Sequence, residues 1–160
     1  MNKAYLLLGS NMGNSKALIT EAIELIQSKC GEVITLSSFY TTQAWGNENQ
    51  PDFLNQVILI HTKISAPGLL NILLDIEKEM GRYRTFKNAP RLIDIDILFF
   101  NDDVINLPEL TIPHPLMDKR RFVLAPLFEL NPAFIHPVLH KSIEQLLIEC
   151  PDKLDVKKNK

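Results

Sequence analysis

The chain has 160 residues, 46% of them hydrophobic and 22% charged, with a formal net charge of −2. This is the composition of a soluble globular protein long enough to bury a core; it excludes a disordered chain, and the slight negative charge argues against a surface built for generic nucleic-acid binding. Cys30 and Cys150 stand far apart with no CxxC or Cys/His pattern, and neither a leader nor an uninterrupted bilayer-length apolar run is visible, so the chain reads as one cytoplasmic domain over 1–160 with reduced structural thiols.

AYLLLGS, residues 4–10, is an apolar run ending in Gly9 and predicts a buried strand that stops at a turn. A helix follows, with Asn14 or Ser15 as cap, Leu18, Ala22, Leu25 and Ile26 at helical spacing, and Gly31 as a left-handed stop. VITLSSFY (33–40) and FLNQVILIHT (53–62) predict the second and third strands. The segment TTQAWGNENQPD between them is longer than a hairpin requires and reads as a binding loop. Ser65 and Pro67 open a second helix whose stripe Leu69, Leu73, Ile76 and Met80 ends at Gly81. The loop RYRTFKNAPR then leads into the strand RLIDIDILFF (91–100). Strand, helix, strand, strand, helix, strand is the βαββαβ order of an α+β, ferredoxin-like fold: an antiparallel sheet with helices on one face and the other face free. C-terminal additions follow: a turn and short strand at NDDVIN, an extended TIPHP, a terminal helix KSIEQLLIEC with a Ser142–Gln145 capping box, and KKNK as a frayed tail.

RLIDIDILFF poses the chemical question. Alternation puts Ile93, Ile95, Ile97 and Phe99 on one face and Leu92, Asp94, Asp96, Leu98 and Phe100 on the other. The two aspartates are then neighbours, roughly 6.5–7 Å apart along the strand. Like charges that close raise each other's cost of ionisation unless water or a cation relieves it. The plainer reading is a half-exposed strand with a wet face; the sharper one is a magnesium site, because magnesium is content with one or two carboxylates plus water and phosphate. Arg82, Arg84, Lys87 and Arg91 crowd the preceding loop and suit a magnesium-bound polyphosphate, although alone they would read as a solvated charged loop. His114 sits between Pro113 and Pro115, a rigid setting that can aim the ring, where a lone histidine is otherwise structural or exposed. Lys119, Arg120 and Arg121 form a second basic cluster, at least one member of which solvates the surface. GSNMGN is a weak anion-binding candidate that a plain strand-to-helix turn also explains. Trp45, Phe53 and Phe122 offer faces for a flat heterocycle, and Asn55 offers both a donor and an acceptor to its edge. Singly each aromatic reads as core packing, and Asn55 is the least comfortable there.

The run KNAPRLIDIDIL (87–98) resembles the signature of the 6-hydroxymethyl-7,8-dihydropterin pyrophosphokinase family, basic-x-G/A-P-R-x-x-D-aliphatic-D-aliphatic. LLLGSNMGN, SSFYTT, QPDFLNQV, IEKEMGRYR, TIPHP and RRFVLAPLFEL extend the likeness in order over about residues 4–137. The resemblance implies a ferredoxin-like fold and transfer of pyrophosphate from ATP to the pterin hydroxymethyl group, giving AMP and the pterin diphosphate, a step of tetrahydrofolate biosynthesis. It implies two magnesium ions on Asp94 and Asp96, and a catalytic set of these aspartates with Arg82 and Arg91. Arg82, Arg84, Arg91, His114, Arg120, Glu77 and Ile97 would hold ATP. Thr42, Gln43, Trp45, Phe53, Asn55, Asp94 and Phe122 would hold the pterin. With no coiled-coil heptad or interface signal the chain is expected to be a monomer acting on small molecules, without nucleic acid or membrane, and its lack of an obvious nucleophile and base suits a reaction made by positioning and charge neutralisation. It departs from the family pattern at Asn88 and Ala89, where several members have a Trp and a loop one residue longer, at Gln43 in place of Pro, at Pro115 in place of Tyr and at Glu109 in place of a basic residue. A nucleotidyltransferase also combines GS with DxD, but within one short helix. An RNA-binding module would show a basic sheet and paired aromatics.

Overall fold

A computed structural model describes residues 1–12, 14–42, 52–81, 92–153 and 156–159. In chain order the elements are β1 (Asn2–Ser10), α1 (Ser15–Lys29), β2 (Glu32–Leu36), β3 (Tyr40–Thr42), β4 (Phe53–Thr62), α2 (Ala66–Met80), β5 (Asp94–Phe100), β6 (Ile105–Leu107), β7 (Leu110–Ile112), a 3-10 turn (Met117–Lys119), α3 (Arg121–Leu130), α4 (Ile143–Glu149) and β8 (Val156–Lys158). The sheet runs β5-β1-β4-β3-β8 with β2 also on β4, every pairing antiparallel, while β6 and β7 form a separate hairpin. This is the ferredoxin-like core read from the sequence. None of the helices among the described residues is long and apolar enough to cross a membrane.

β1 is apolar from Ala4 to Leu8 because both of its faces are covered there. Ala4, Leu6 and Leu8 pack under α1 and α2 against Ile19, Ala22, Ile26, Leu69, Leu73 and Ile76. Tyr5 and Leu7 point the other way, into a second core with Val57, Phe99, Val123, Leu124, Leu127, Ile143 and Leu146. The face left free by the sequence reading is thus roofed by α3 and α4. α2 starts as its sequence demands, with the Ser65 hydroxyl accepting from the Gly68 N–H at 3.2 Å and a proline in the first turn. α4 likewise has the Ser142 hydroxyl accepting from the Gln145 N–H at 3.1 Å. Gly31 is not a left-handed stop: its φ is +158° and it is needed because the His61 carbonyl passes where a Cβ would sit.

Three further departures have physical causes. The predicted strand 33–40 divides into β2 and β3 because Ser37 takes over the ladder, its N–H donating to the Val57 carbonyl at 2.8 Å and its hydroxyl accepting from the Val57 N–H at 3.0 Å. In β5 the register slips where Tyr5 faces Phe99 and Leu6 faces Ile97, leaving Leu98 as an extra residue. This bulge reverses the alternation beyond Leu98: Phe99 joins the core on the aspartate side and Phe100 the core under the helices. Finally, Lys157 and Lys158 of the expected frayed tail belong to β8, which pairs with β3 as Tyr40↔Lys158 and Thr42↔Val156.

Glu129 of α3 fastens this edge. Its carboxylate accepts from the Tyr40 hydroxyl at 2.6 Å and from the Ser38 N–H and hydroxyl at 3.1 Å, with the Lys158 ammonium at 3.9 Å. Burial pushes the Glu129 carboxyl up, but these hydrogen bonds more than offset it and hold the group below its ordinary value; burial and the same carboxylate push the Tyr40 phenol up. Glu129→Ala is expected to lower the unfolding free energy by about 2 kcal/mol, since it strands partners of a charged acceptor, whereas Lys158→Ala should change it by no more than about 0.5 kcal/mol. Urea unfolding of both variants checks the difference.

His136 lies against Phe99 at 5.6 Å between ring centroids, and its Nδ1 accepts from the Val138 and Leu139 N–H groups at 3.2 and 3.1 Å. Burial lowers its pKa below 6.5, Asp118 pulls it up and His140 lowers it again. A lowered folded pKa means the unfolded chain binds more protons, so this contribution to stability is complete above pH 6.5 and is lost as pH falls through the folded value. Thermal unfolding scans should show a midpoint that drops on acidification below pH 6.5, with a shallower drop in His136→Gln.

Candidate active site

Antiparallel register lays Asp94, Gly9, Asn55 and Tyr40 in one row across β5, β1, β4 and β3, and Asp96 and Leu7 in the next row. Directly paired residues face the same side, so this is the side roofed by α3. At Gly9 the row has no side chain, and a Cβ there would stand 3.0 Å from the Asn55 Oδ1. The gap opens a cavity of about 550 Å³. Leu7, Gly9, Asn55, Asp94 and Asp96 form its floor, Thr42 and Phe53 one wall, and Leu116, Lys119, Arg120 and Phe122 its roof, with Asp152 at the rim.

Each polar group in the cavity is set by a neighbour. Asn55 is only 4% exposed, and its Nδ2 donates to the Thr42 hydroxyl at 3.2 Å, which fixes the direction of the amide. Asp94 and Asp96 are half-buried, and Ile95 between them turns into the helix-side core. The Ile95 N–H donates to the Glu77 Oε2 at 2.9 Å, so α2 holds β5 at the point where the aspartates emerge. Ser10 secures the lead-in to the same strand, its hydroxyl donating to the Leu92 carbonyl at 2.7 Å. Ser10, at the end of β1, therefore also pins the lead-in to β5.

The His114 N–H donates to the carbonyl of the bulged Leu98 at 3.1 Å, and its Nδ1 accepts from the Leu116 N–H at 3.2 Å. A neutral ring so held carries its proton on Nε2. Burial lowers the His114 pKa, the Asp96 carboxylate acts to raise it and Arg120 to lower it, leaving the group below its ordinary value. The ring is thus neutral at neutral pH, beside the aspartates without lining the main cavity. Arg120 lies with its Cζ 5.8 Å from the centre of the Phe122 ring, so the roof presents a cation and an aromatic together.

The structure therefore brings Thr42, Phe53, Asn55, Asp94, Asp96, Arg120 and Phe122 to one cavity, with His114 alongside. Glu77 lies outside it, behind β5, and Ile97 packs in the helix-side core. Gln43, Trp45, Arg82, Arg84, Lys87 and Arg91 lie outside the described residues. Of the second basic cluster, Lys119 and Arg120 face the cavity, and Arg121 is tied to Asp152. Sequence reasoning did not single out Leu7, Leu116 or Asp152 and took Gly9 for a turn residue. A glycine inside an otherwise apolar strand was the one available signal.

The family model for 7,8-dihydro-6-hydroxymethylpterin-pyrophosphokinase matches residues 5–132. A protein of Aquifex aeolicus (strain VF5) named 2-amino-4-hydroxy-6-hydroxymethyldihydropteridine pyrophosphokinase is 42% identical over 145 residues, 91% of this chain and 90% of that protein. A folic acid synthesis protein of Dictyostelium discoideum is 36% identical over 94% of this chain, which spans only 23% of its length. Among solved structures, wild-type HPPK-DHPS of Plasmodium falciparum with STZ-DHP superposes with a TM-score of 0.76 at 19% identity, over 92% of this chain and 43% of that one, a likeness of fold. The motif on β5, the cavity it faces and the match over most of both chains lead to one conclusion: the chain belongs to the 7,8-dihydro-6-hydroxymethylpterin-pyrophosphokinase family.

Proposed function

We propose that this chain transfers the pyrophosphoryl group of ATP to the hydroxyl of 6-hydroxymethyl-7,8-dihydropterin above Gly9, releasing AMP and the pterin diphosphate for folate synthesis. One observation carries the reading: an amide fixed for recognition, two aromatic rings and two adjacent carboxylates share a single cavity under an arginine. Phe53 and Phe122 offer faces to the pterin ring, while Asn55, held by Thr42, reads its edge, and Gln43 and Trp45 are assigned to the same substrate by the family resemblance. The hydroxymethyl group is then directed toward Asp94 and Asp96. Arg120 and His114, with Arg82, Arg84 and Arg91 of the preceding loop, take the polyphosphate. Glu77 and Ile97 serve the nucleotide side through β5.

The donor set suits magnesium. Asp94 and Asp96 supply hard oxygen ligands, and among the described residues no group of three or more His, Cys, Asp or Glu is placed to hold a metal. A cation that brings its own waters and substrate phosphates fits that set. Two magnesium ions would neutralise charge on the phosphates and polarise them for attack. The chain's own contribution is orientation: the pterin oxygen forms its bond to the β-phosphorus as the bond to the α-phosphate oxygen breaks, with both reactants held in one cavity. The same reading takes 1–160 as a single domain working as a cytoplasmic monomer, with neither nucleic acid nor membrane as partner, in keeping with a net charge of −2 and a small-molecule cavity.

Incubation with magnesium, ATP and the hydroxymethyl pterin should yield AMP one-for-one with the pterin diphosphate, and nothing when EDTA is present; intact ATP from folded protein would overturn the reading. Asp94→Asn and Asp96→Asn should each lower kcat by roughly 10³-fold, the scale of losing a charge-stabilising group, with unfolding midpoints unchanged or raised. Gly9→Val, compatible with a strand, should raise the pterin dissociation constant more than about tenfold by filling the floor. Its affinity for magnesium-ATP should stay within about threefold, because the blocked position lies between Asn55 and Asp94 and not beneath the phosphate-facing groups. Titration calorimetry with each ligand separates the two effects.

A further inference from the structure

α3 begins without a local cap. Arg120 occupies the cap position with extended backbone (φ −124°, ψ 109°) and makes no side-chain capping bond. The Arg121 N–H is therefore one of the orphan donors of a helix start. Its acceptor comes from 31 residues further along the chain: the Asp152 Oδ2 at 3.2 Å. The Arg121 Nε–H also donates to the Asp152 main-chain carbonyl at 3.1 Å, so the pair is latched twice. On either side of this latched residue stand Arg120 and Phe122, both turned into the cavity, and Asp152 itself reaches its rim.

We propose that Asp152 is a positioning residue for the pyrophosphokinase reaction: as a cap supplied from the C-terminal segment, it sets the turn that aims Arg120 at the phosphates. This rests on the functional reading above. The Arg120 N–H is held by the Met117 carbonyl at 3.3 Å, and the Asp152 carboxylate holds the next N–H along the chain. The preceding 3-10 turn is three residues long, and the Val123 and Leu124 N–H groups both close on the Arg120 carbonyl, at 3.1 and 3.2 Å. Without the Asp152 acceptor, the Arg121 N–H must turn toward water, and the peptide joining Arg120 to Arg121 shifts with it and carries the Arg120 side chain along. The carboxylate also meets the positive end of α3, which strengthens the cap over a neutral acceptor without altering its geometry. In this account Asp152 acts through Arg120 and touches neither reacting atom.

The test is a double-mutant cycle of Asp152→Ala and Arg120→Ala, read in the dissociation constant for magnesium-ATP by calorimetry and in kcat/KM for AMP formation, with thermal unfolding run on every variant. Asp152→Ala should weaken both quantities roughly 10-fold or more, the effect of misplacing a charged group by about an ångström. In the Arg120→Ala background it should cost less than about twofold, because the group it aims is gone. Asp152→Asn, whose oxygen can accept the same N–H bond, should restore binding to within about threefold of wild type. Losses that multiply in the double variant, or an Asn variant as impaired as Ala, would overturn the proposal. If the Ala variant does not fold, Asp152→Glu, which moves the carboxylate by one methylene, enters the same cycle under the same criterion. Wild-type protein that binds magnesium-ATP but forms no AMP would overturn the reaction alone, and the binding cycle still decides the role of Asp152; wild-type protein that does not bind it overturns both.

Discussion

The site depends on a side chain that is missing. Asp94, Gly9 and Asn55 are directly paired residues on three adjacent strands, so their side chains must share one face at the spacing of a sheet. A Cβ at position 9 would press to 3.0 Å from the Asn55 Oδ1, and a larger side chain would fill the floor. With glycine there, the sheet keeps its hydrogen-bonded backbone while losing one side chain's worth of packing, and the carboxylate and amide face a common space. The strand can tolerate this because the same row is secured on its outer side, where Tyr40 and Lys158 meet Glu129.

α3 connects these two ends of the row. Glu129, near its C-terminal end, pulls β3 and the 37–39 link against the roof, and Arg120 and Phe122, at its N-terminal end, overhang the aspartates. Its middle is buried on Tyr5, Leu7 and Val57. A roof packed this way resists tilting, since shifting it would open apolar contacts along its length. Phe99 belongs to this support only because the bulge at Leu98 turns it onto the aspartate face, and the Leu98 carbonyl left over by the bulge is the one that receives the His114 N–H. A single local irregularity thus both extends the second core and places a histidine beside Asp96.

The parts legible in the sequence were those set by local periodicity and capping. The DxD alternation placed Asp94 and Asp96 on one face, the stripe of α2 placed Leu69, Leu73 and Ile76 inward, and Ser65 and Ser142 capped as their spacing required. Features decided by pairing over long distance were not legible. The slip at Leu98 follows from how β5 meets β1, and nothing within DIDILFF marks it. β8 is lysine-rich and polar, and it orders against the β3 edge and Glu129 without any propensity of its own. RFVLAPLFEL forms α3 despite Pro126, which argues against a helix in isolation and is overridden because the proline is buried in the roof. Asp152 had no readable role, because its partner is a backbone N–H remote in sequence.

Charge within the cavity bears on how the substrates must arrive. The described lining carries three carboxylates, Asp94, Asp96 and Asp152, against two cations, Lys119 and Arg120, and the adjacent His114 is held neutral by burial. On the function proposed above, magnesium held by Asp94 and Asp96 would add positive charge where the polyphosphate is bound. Nucleotide and divalent cation are therefore expected to bind as a linked pair, each raising the affinity of the other by the same factor, as thermodynamic linkage requires. Under the proposed function the pterin side would differ in kind: Phe53, Phe122 and the Thr42–Asn55 pair are uncharged, so it would select by shape and hydrogen bonding. On that reading the two halves of the cavity would select their ligands by different physics, with the aspartates of β5 standing where those halves meet.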